Sequence, residues 1–244
     1  MCKTFFLSVV FVLLLIVVPD VSAAMLSHYT FDTDASDSGT LPRNGTIVGG
    51  AGIASGGPQG SGYLSLTGGH VDLPAYGGPG WIAGGVTVTA WVKADNPSVG
   101  GDIFSQAWYS PSNGTIQMRQ TASGTQVVSM VTTATAGVPA AAGEWYHIAW
   151  VGRAVSGMHE IWINGVKTGE TWMPWAAWPA NVFKAMDGAA TIGSWGTSNV
   201  LMGGIDDLRI YDEALDASGI VATIPEPATL ILLGLGGLLL RKRK

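Results

Sequence analysis

The 244-residue sequence contains one cysteine, Cys2, at its extreme N-terminus. Once the N-terminal segment is removed the chain has no thiol, which excludes disulfides, thiol catalysis and Cys-ligated zinc. Charge is scarce as well: only 12% of residues are Asp, Glu, Lys or Arg, about half the usual share. Positive charge is the scarcer sign. Residues 24 to 224 hold 7 basic and 15 acidic residues, a net charge of −8. A nucleic-acid partner needs the opposite sign, so that class is excluded, whereas acidity suits a bound cation or plain solubility. Helical periodicity long enough for a crossover is missing before residue 212, which removes α/β architectures. Gly-x-Ser-x-Gly elbows, His-Glu-x-x-His helices and phosphate-cradling glycine loops are absent too. Retaining glycoside hydrolysis needs two carboxylates roughly 5 Å apart, which i and i+2 positions of a strand can supply. Only Asp32 and Asp34 have that spacing, and position 36 is Ser. Adjacent Asp206 and Asp207 point to opposite faces of a strand. Acids converging from distant segments leave an enzyme as the alternative to a non-catalytic chain.

The apolar residues concentrate at the two ends. Phe5 to Val18 and Ala228 to Leu240 are nearly uninterrupted apolar runs of 14 and 13 residues. Lys3, the first run, Pro19 and the small residues Val21-Ser22-Ala23-Ala24 have the layout of a secretory signal peptide over residues 1–24. A membrane anchor needs nearer 20 apolar residues. At the other end Pro225-Glu226-Pro227 precedes the second run, and Arg241 to Lys244 follow it. Thirteen residues rise about 20 Å, a short transmembrane helix, and the basic tail places residues 241–244 on the cytoplasmic side.

Between the ends, apolar runs are short, rich in Val, Ile, Thr and aromatics, and bounded by Gly, Pro, Asn or Ser, which is strand punctuation. Strands are predicted near 26–31, 62–73, 86–92, 102–107, 115–120, 126–132, 145–151, 158–163, 166–170, 189–193 and 203–211. Asn164-Gly165 is the clearest hairpin turn, because a type I′ turn needs positive φ at both central positions. Gly49 to Gly62, with seven Gly in fourteen residues, reads as a mobile surface loop. A short helix is expected at 216–222, capped by Asp216. Many antiparallel strands without crossovers mean an all-β sandwich or jelly roll. Trp91, Trp145, Trp150 and Trp162 lie within strands, where large rings fill the space between sheets; His147 reads as a hydrogen-bonded core histidine.

Two resemblances rest on these residues. The order Pro225-Glu226-Pro227, apolar helix, basic tail resembles the PEP-CTERM sorting signal of Gram-negative bacteria, over residues 224–244. That implies recognition and removal of the tail by an exosortase and delivery to the cell surface or extracellular matrix. The segments YLSLTGGHVDLP (63–74), VTVTAWVK (86–93), EWYHIAW (144–150), IWINGV (161–166) and GGIDDLRIY (203–211) are similar in order to the laminin G-like jelly roll of the concanavalin A-like lectin and glucanase superfamily, over residues 25–222. This resemblance implies two curved antiparallel sheets with the first strand, near Tyr29, beside the last, near Leu208. It also implies a structural Ca²⁺ near their junction, on Asp206 or its neighbour Asp207.

Asp32, Asp34 and Asp37 cluster after the first strand, and hard carboxylate oxygens suit Ca²⁺; a solvated acidic turn is the competing reading. Trp172, Trp175 and Trp178, spaced i, i+3, i+6 and broken by Pro174 and Pro179, do not fit a strand of period two. With Trp108 and Trp195 they form either an aromatic surface for extracellular polysaccharide or a tryptophan-rich loop folded over the sandwich. The sequence thus describes a secreted glycan-binding or adhesion module, a hydrolase or lyase, or a structural matrix protein. The protein released by its own host is expected to lack residues 1–23 or 1–24 and to end near Pro225 to Pro227. Intact-mass measurement checks this, and Arg241 to Lys244 still present on the released form would refute the sorting reading.

Overall fold

The computed structural model describes residues 23–75, 85–106, 116–129, 132–136, 141–153, 156–172 and 189–224. The expected signal peptide up to residue 22, the expected C-terminal helix, Trp108, Trp175, Trp178 and the Pro225-Glu226-Pro227 motif lie outside them. The described chain is all β but for one short helix. Its strands are β1 (Met25–Tyr29), β2 (Thr46–Ser55), β3 (Gly62–Leu73), β4 (Gly85–Ala94), β5 (Gly101–Gln106), β6 (Ile116–Thr121) and β7 (Gly124–Ser129). They continue with β8 (Thr132–Ala136), β9 (Trp145–Arg153), β10 (Met158–Ile163), β11 (Val166–Trp172), β12 (Ala190–Ile192) and β13 (Gly203–Tyr211), and helix α1 (Ala217–Ala222) follows.

Every strand pair is antiparallel, in the order β11-β10-β9-β4-β13-β3-β12-β5-β6-β7-β8, with β1 on β13 and β2 on β3. The sheet curls until β8 touches β10 and β11, and the two halves face each other as a jelly roll. Tyr29 pairs with Leu208, so the first strand does lie beside the last.

The alternation within β4 shows why the chain folds this way. Val86, Val88, Ala90, Val92 and Ala94 face inward and are buried, while Thr87, Thr89, Trp91 and Lys93 face outward. Tyr29, Phe31, Phe104, Ile148, Trp150 and Ile205 complete the interior. A second, smaller cluster lies on the outer face, where Ala149, Val151, Trp162 and Tyr211 pack under Leu215 and Ile220 of the α1 region. Asp216 caps α1 by accepting the Gly219 amide, as expected, and Asn164 (φ 49°) and Gly165 (φ 77°) form the expected hairpin turn.

Two expectations fail. Residues 49–55 of the supposed glycine loop belong to β2, which pairs with β3 from Thr46↔Asp72 to Ser55↔Gly62. Glycine on both strands serves close backbone approach, since a Cβ at Gly50 of β2 would stand 2.7 Å from Thr67 O and one at Gly69 of β3 2.1 Å from Val48 O; backbone pairing needs no apolar pattern, so a search for one does not find the strand. Strand β8, all Thr and Ala, was missed for the same reason. The four strand tryptophans also divide. Trp150 and Trp162 are buried, but Trp91 and Trp145 point outward and are half-buried.

The Trp150 indole donates to His159 Nδ1 at 3.1 Å, and burial pushes His159 down to about 4. The unfolded chain titrates this group near 6.5 and so binds more protons than the folded one between those values. The stabilising contribution is complete above pH 6.5 and is lost as pH falls toward 4. His159→Gln keeps an acceptor for the indole and removes the titration. Wild type is therefore expected to lose on the order of 3 kcal/mol relative to the variant across that window. Denaturant melts at a series of pH values check this, and parallel pH profiles would contradict it.

Candidate functional site

The outer face of β9, β4, β13 and β3 is covered at one end and open at the other. At the covered end Thr223, the C-cap of α1, shares a hydrogen bond with His147 Nε2 (3.2 Å), and His147 is buried and pushed down to about 4 by that burial. Its ring meets Trp91 edge-on at 5.6 Å.

At the open end the register brings four side-chain positions into one patch. Lys93 pairs with Trp145 across β4 and β9 and with Gly204 across β4 and β13; Leu64, next to Tyr63, pairs with Ile205. The Tyr63 and Trp145 rings meet at 5.3 Å and 83°. Lys93 Nζ lies 4.7 Å from the Tyr63 centroid and 5.2 Å from that of Trp145. Gly204 makes the contact possible, because a Cβ there would stand 2.7 Å from Trp145 Cη2 and 2.9 Å from Tyr63 Cδ2. Sequence reasoning assigned Trp145 to the core. The signal it overlooked was parity: Trp145 is offset by an odd number from the inward residues Tyr146, Ile148 and Trp150.

Beside this patch lie two of the five expected calcium aspartates. Asp206 is fully buried. Its oxygens accept the amides of Gln59 (2.9 Å) and Asp207 (2.8 Å), and burial, with neighbouring Asp207 and Asp32 adding to it, pushes the carboxyl up to about 7. Asp32 accepts from Ser61 and Gly62, and those amides hold it below the usual carboxylate range. One short segment, residues 59–62, therefore ties both acids together. Two carboxylates pushed apart in pKa match the pattern of an acid–base pair, but Asp206 is closed to solvent and both its oxygens are engaged by backbone.

The other three aspartates do not join them. Asp37 is spent on the amides of His28, Gly39 and Arg43. Asp207 pairs with His28 (2.7 Å) and Arg209 (2.9 Å), and exposed Asp34 caps the Ser36 amide. Among the described residues no three His, Cys, Asp or Glu gather as a metal group. Hard oxygens do converge on the Asp206–Asp32 pair, however. A Cβ at Gly62 would stand 2.5 Å from Phe31 O and 2.6 Å from Asp32 O, and one at Gly57 would stand 2.2 Å from Gly62 O and 2.6 Å from Asp206 Oδ2. Phe31 (φ 53°) and Asp207 (φ 48°) hold left-handed backbone next to the pair, a strained geometry for such residues. Two carboxylates and main-chain carbonyls around Gly57 and Gly62 are donors of the chemistry that suits a hard cation.

The expected tryptophan surface is not one surface. Trp172 and Trp195 are both exposed, at 57% and 41%. Trp172 pairs through Met158 and Arg153 to Gly85, while the Trp195 loop runs into Gly203, which pairs with Ala94. Those are opposite ends of β4, about 30 Å apart. Trp195 shares the end that carries Lys93 and Trp145. A cleft of about 290 Å³ opens at that end between Val99, Asp102, Arg119, Thr121, Asn199 and Val200. Asp102 is buried there, raised to about 6 by burial against the opposing pull of Arg119.

Comparison with known proteins agrees with this architecture. Residues 58–221 match the laminin G-type family model of the concanavalin A-like lectin/glucanases superfamily, and residues 223–244 match the PEP-CTERM protein-sorting motif. No curated protein matches the sequence. Among solved structures, the chain is similar to domain 4 of AbnA, a GH43 extracellular arabinanase from Geobacillus stearothermophilus, determined in complex with arabinotriose. The identity is 26% and the TM-score 0.66, over 83% of this chain and 99% of that one. The binding domain of botulinum neurotoxin serotype D shares the fold at 12% identity and a TM-score of 0.60, over 82% of this chain and 51% of the other, about half its length. The receptor binding domain of the serotype C/D mosaic neurotoxin gives 11% identity and 0.62, over 82% and 51%. The PEP-CTERM motif indicates export to the surface or exterior of a Gram-negative cell. On the match across residues 58–221, the chain belongs to the concanavalin A-like lectin/glucanase superfamily, as a laminin G-like jelly roll carrying a PEP-CTERM sorting motif.

Proposed function

We propose that the protein is a secreted glycan-binding module without catalytic activity, with a signal peptide over 1–24, the jelly roll over 25–222 and a sorting tail over 224–244 that an exosortase removes. Its partner is the extracellular polysaccharide of the surface or matrix to which it is delivered. The observation that carries this reading is the likeness to the arabinanase domain, a module of the same size described in complex with arabinotriose. The open patch of Tyr63, Lys93 and Trp145 supports it, because flat rings offer an apolar face to the C–H face of a sugar. The sealed state of Asp206 argues for binding over hydrolysis, since a catalytic acid must reach its substrate.

Retention of residues 24–224, which keep the Ala24 and Thr223 contacts, on immobilised plant and bacterial polysaccharides in native gels tests the proposal. Retardation by at least one polymer, lost in Trp145→Ala with the melting temperature nearly unchanged, is expected. Absence of retardation across the panel, or release of reducing ends from a retained polymer, would overturn it.

The same proposal assigns Asp206, Asp32 and the carbonyls around Gly62 as the holders of a structural Ca²⁺. When bound, the ion would offset two neighbouring negative charges and fix the segment that leads into Tyr63. Because a ligand that binds only the folded state stabilises it by mass action, calcium at a hundredfold excess over its dissociation constant should add about 2.7 kcal/mol. Asp206→Asn should abolish the gain, while Asp34→Asn should leave it intact. A melting temperature unmoved between millimolar calcium and chelator would return both acids to a purely structural role.

A further inference from the structure

The open patch has a chemical polarity that a neutral sugar does not use. Lys167 pairs with Glu170, Arg153 with Glu160 and Arg209 with Asp207. Lys93 instead has two aromatic rings as its partners, and its ammonium is held at 4.7 and 5.2 Å from their centroids. A cation over π faces is attracted to them without spending its N–H donors on an acceptor. The result is an ammonium fixed in place on a half-buried surface, with its hydrogen-bonding capacity unspent, in a domain whose net charge is −8.

The surrounding geometry is built to keep it there. Gly204 lowers the floor so that the perpendicular Tyr63 and Trp145 rings rest on the β13 backbone, and together they form a corner with Lys93 beside it. The nearest acid on β13, Asp206, is buried with its oxygens engaged by Gln59 and Asp207. It is therefore no competitor for the ammonium. On the covered part of the same face α1 closes over Ala149 and Val151; this part it leaves open.

We propose that Tyr63, Trp145 and Lys93 form a subsite for an acidic sugar, a hexuronate residue of a polysaccharide, with the rings on its C–H face and Lys93 Nζ donating to its carboxylate. The inference rests on the glycan-binding reading above and narrows it to a substrate class. An ammonium–carboxylate hydrogen bond is charge-assisted and stronger than the hydroxyl contacts a neutral ring offers. Long-range repulsion from the acidic domain does not prevent it, since at an ionic strength of about 0.15 M charges more than about 8 Å apart are largely screened.

The test uses a matched pair of polymers: polygalacturonate, and the same polymer after its carboxylates have been reduced to hydroxymethyl groups. Binding of residues 24–224 is followed by calorimetry at about 0.15 M ionic strength. Wild type is expected to bind the uronate form about tenfold more tightly than the reduced one. Lys93→Gln should erase the difference by weakening only the uronate form, Lys93→Arg should keep most of it, and Trp145→Ala should lose both polymers. Equal affinity for the two forms, or an unaltered preference in Lys93→Gln, refutes the acidic-sugar subsite while leaving glycan binding in place. Binding of neither form by a domain that is retained on another polysaccharide also refutes the subsite alone, and retention on no polysaccharide at all refutes both readings.

Discussion

Strand β13 pairs along its length with β1, β4 and β3, and the rest of the outer face takes its geometry from how that strand is shared. Between Asp206 and Arg209 the pairing with β4 slips. A regular strand would keep alternating, but the left-handed Asp207 resets it, so that Ile205, Leu208 and Ile210 all reach the core. Ahead of the bulge, regular alternation about Ile205 leaves Gly204 and Asp206 facing outward. One becomes the floor under two rings and the other a buried acid beneath the 57–62 segment. Without the bulge Leu208 and Ile210 would turn outward and be lost to the core.

Two coverings decide what the outer face can do. Helix α1, tied down through Thr223 and His147, converts half of it into a second small core. The glycine-rich approach to β3 covers Asp206 and leaves the ring pair beside it open. The half-buried aromatic corner of Tyr63 and Trp145 offers an apolar face with a polar edge, the chemistry that the proposed sugar ring would complete. The sorting motif begins at residue 223, where α1 ends, so the jelly roll and its sorting signal adjoin.

Strand periodicity and turn chemistry made most of the fold legible. VTVTAWVK declared a strand with one buried face, and Asn164-Gly165 declared its hairpin, because both signals are local. β2 and β8 were not legible, since glycine, threonine and alanine carry no apolar alternation and gain their place by backbone pairing with a neighbour distant in sequence. The site was legible only in part. Asp206 and Asp32 meet because β13 and the turn after β1 are joined through residues 59–62, while Asp34, Asp37 and Asp207, equally acidic, are claimed by local amides and by His28 and Arg209. Tyr63 and Trp145 are 82 residues apart in the sequence, and no local pattern announces that Gly204 lets them touch.

The central claim is that glycan is held on the outer face at Tyr63 and Trp145. Indole N–H resonances of ¹⁵N-labelled residues 24–224, titrated with oligogalacturonate, address it directly, because each tryptophan reports its own surroundings. The account predicts that the Trp145 signal moves most, that of neighbouring Trp91 moves less, and that buried Trp150 stays still. Shifts confined to Trp172 or Trp195, with Trp145 unmoved, would contradict it.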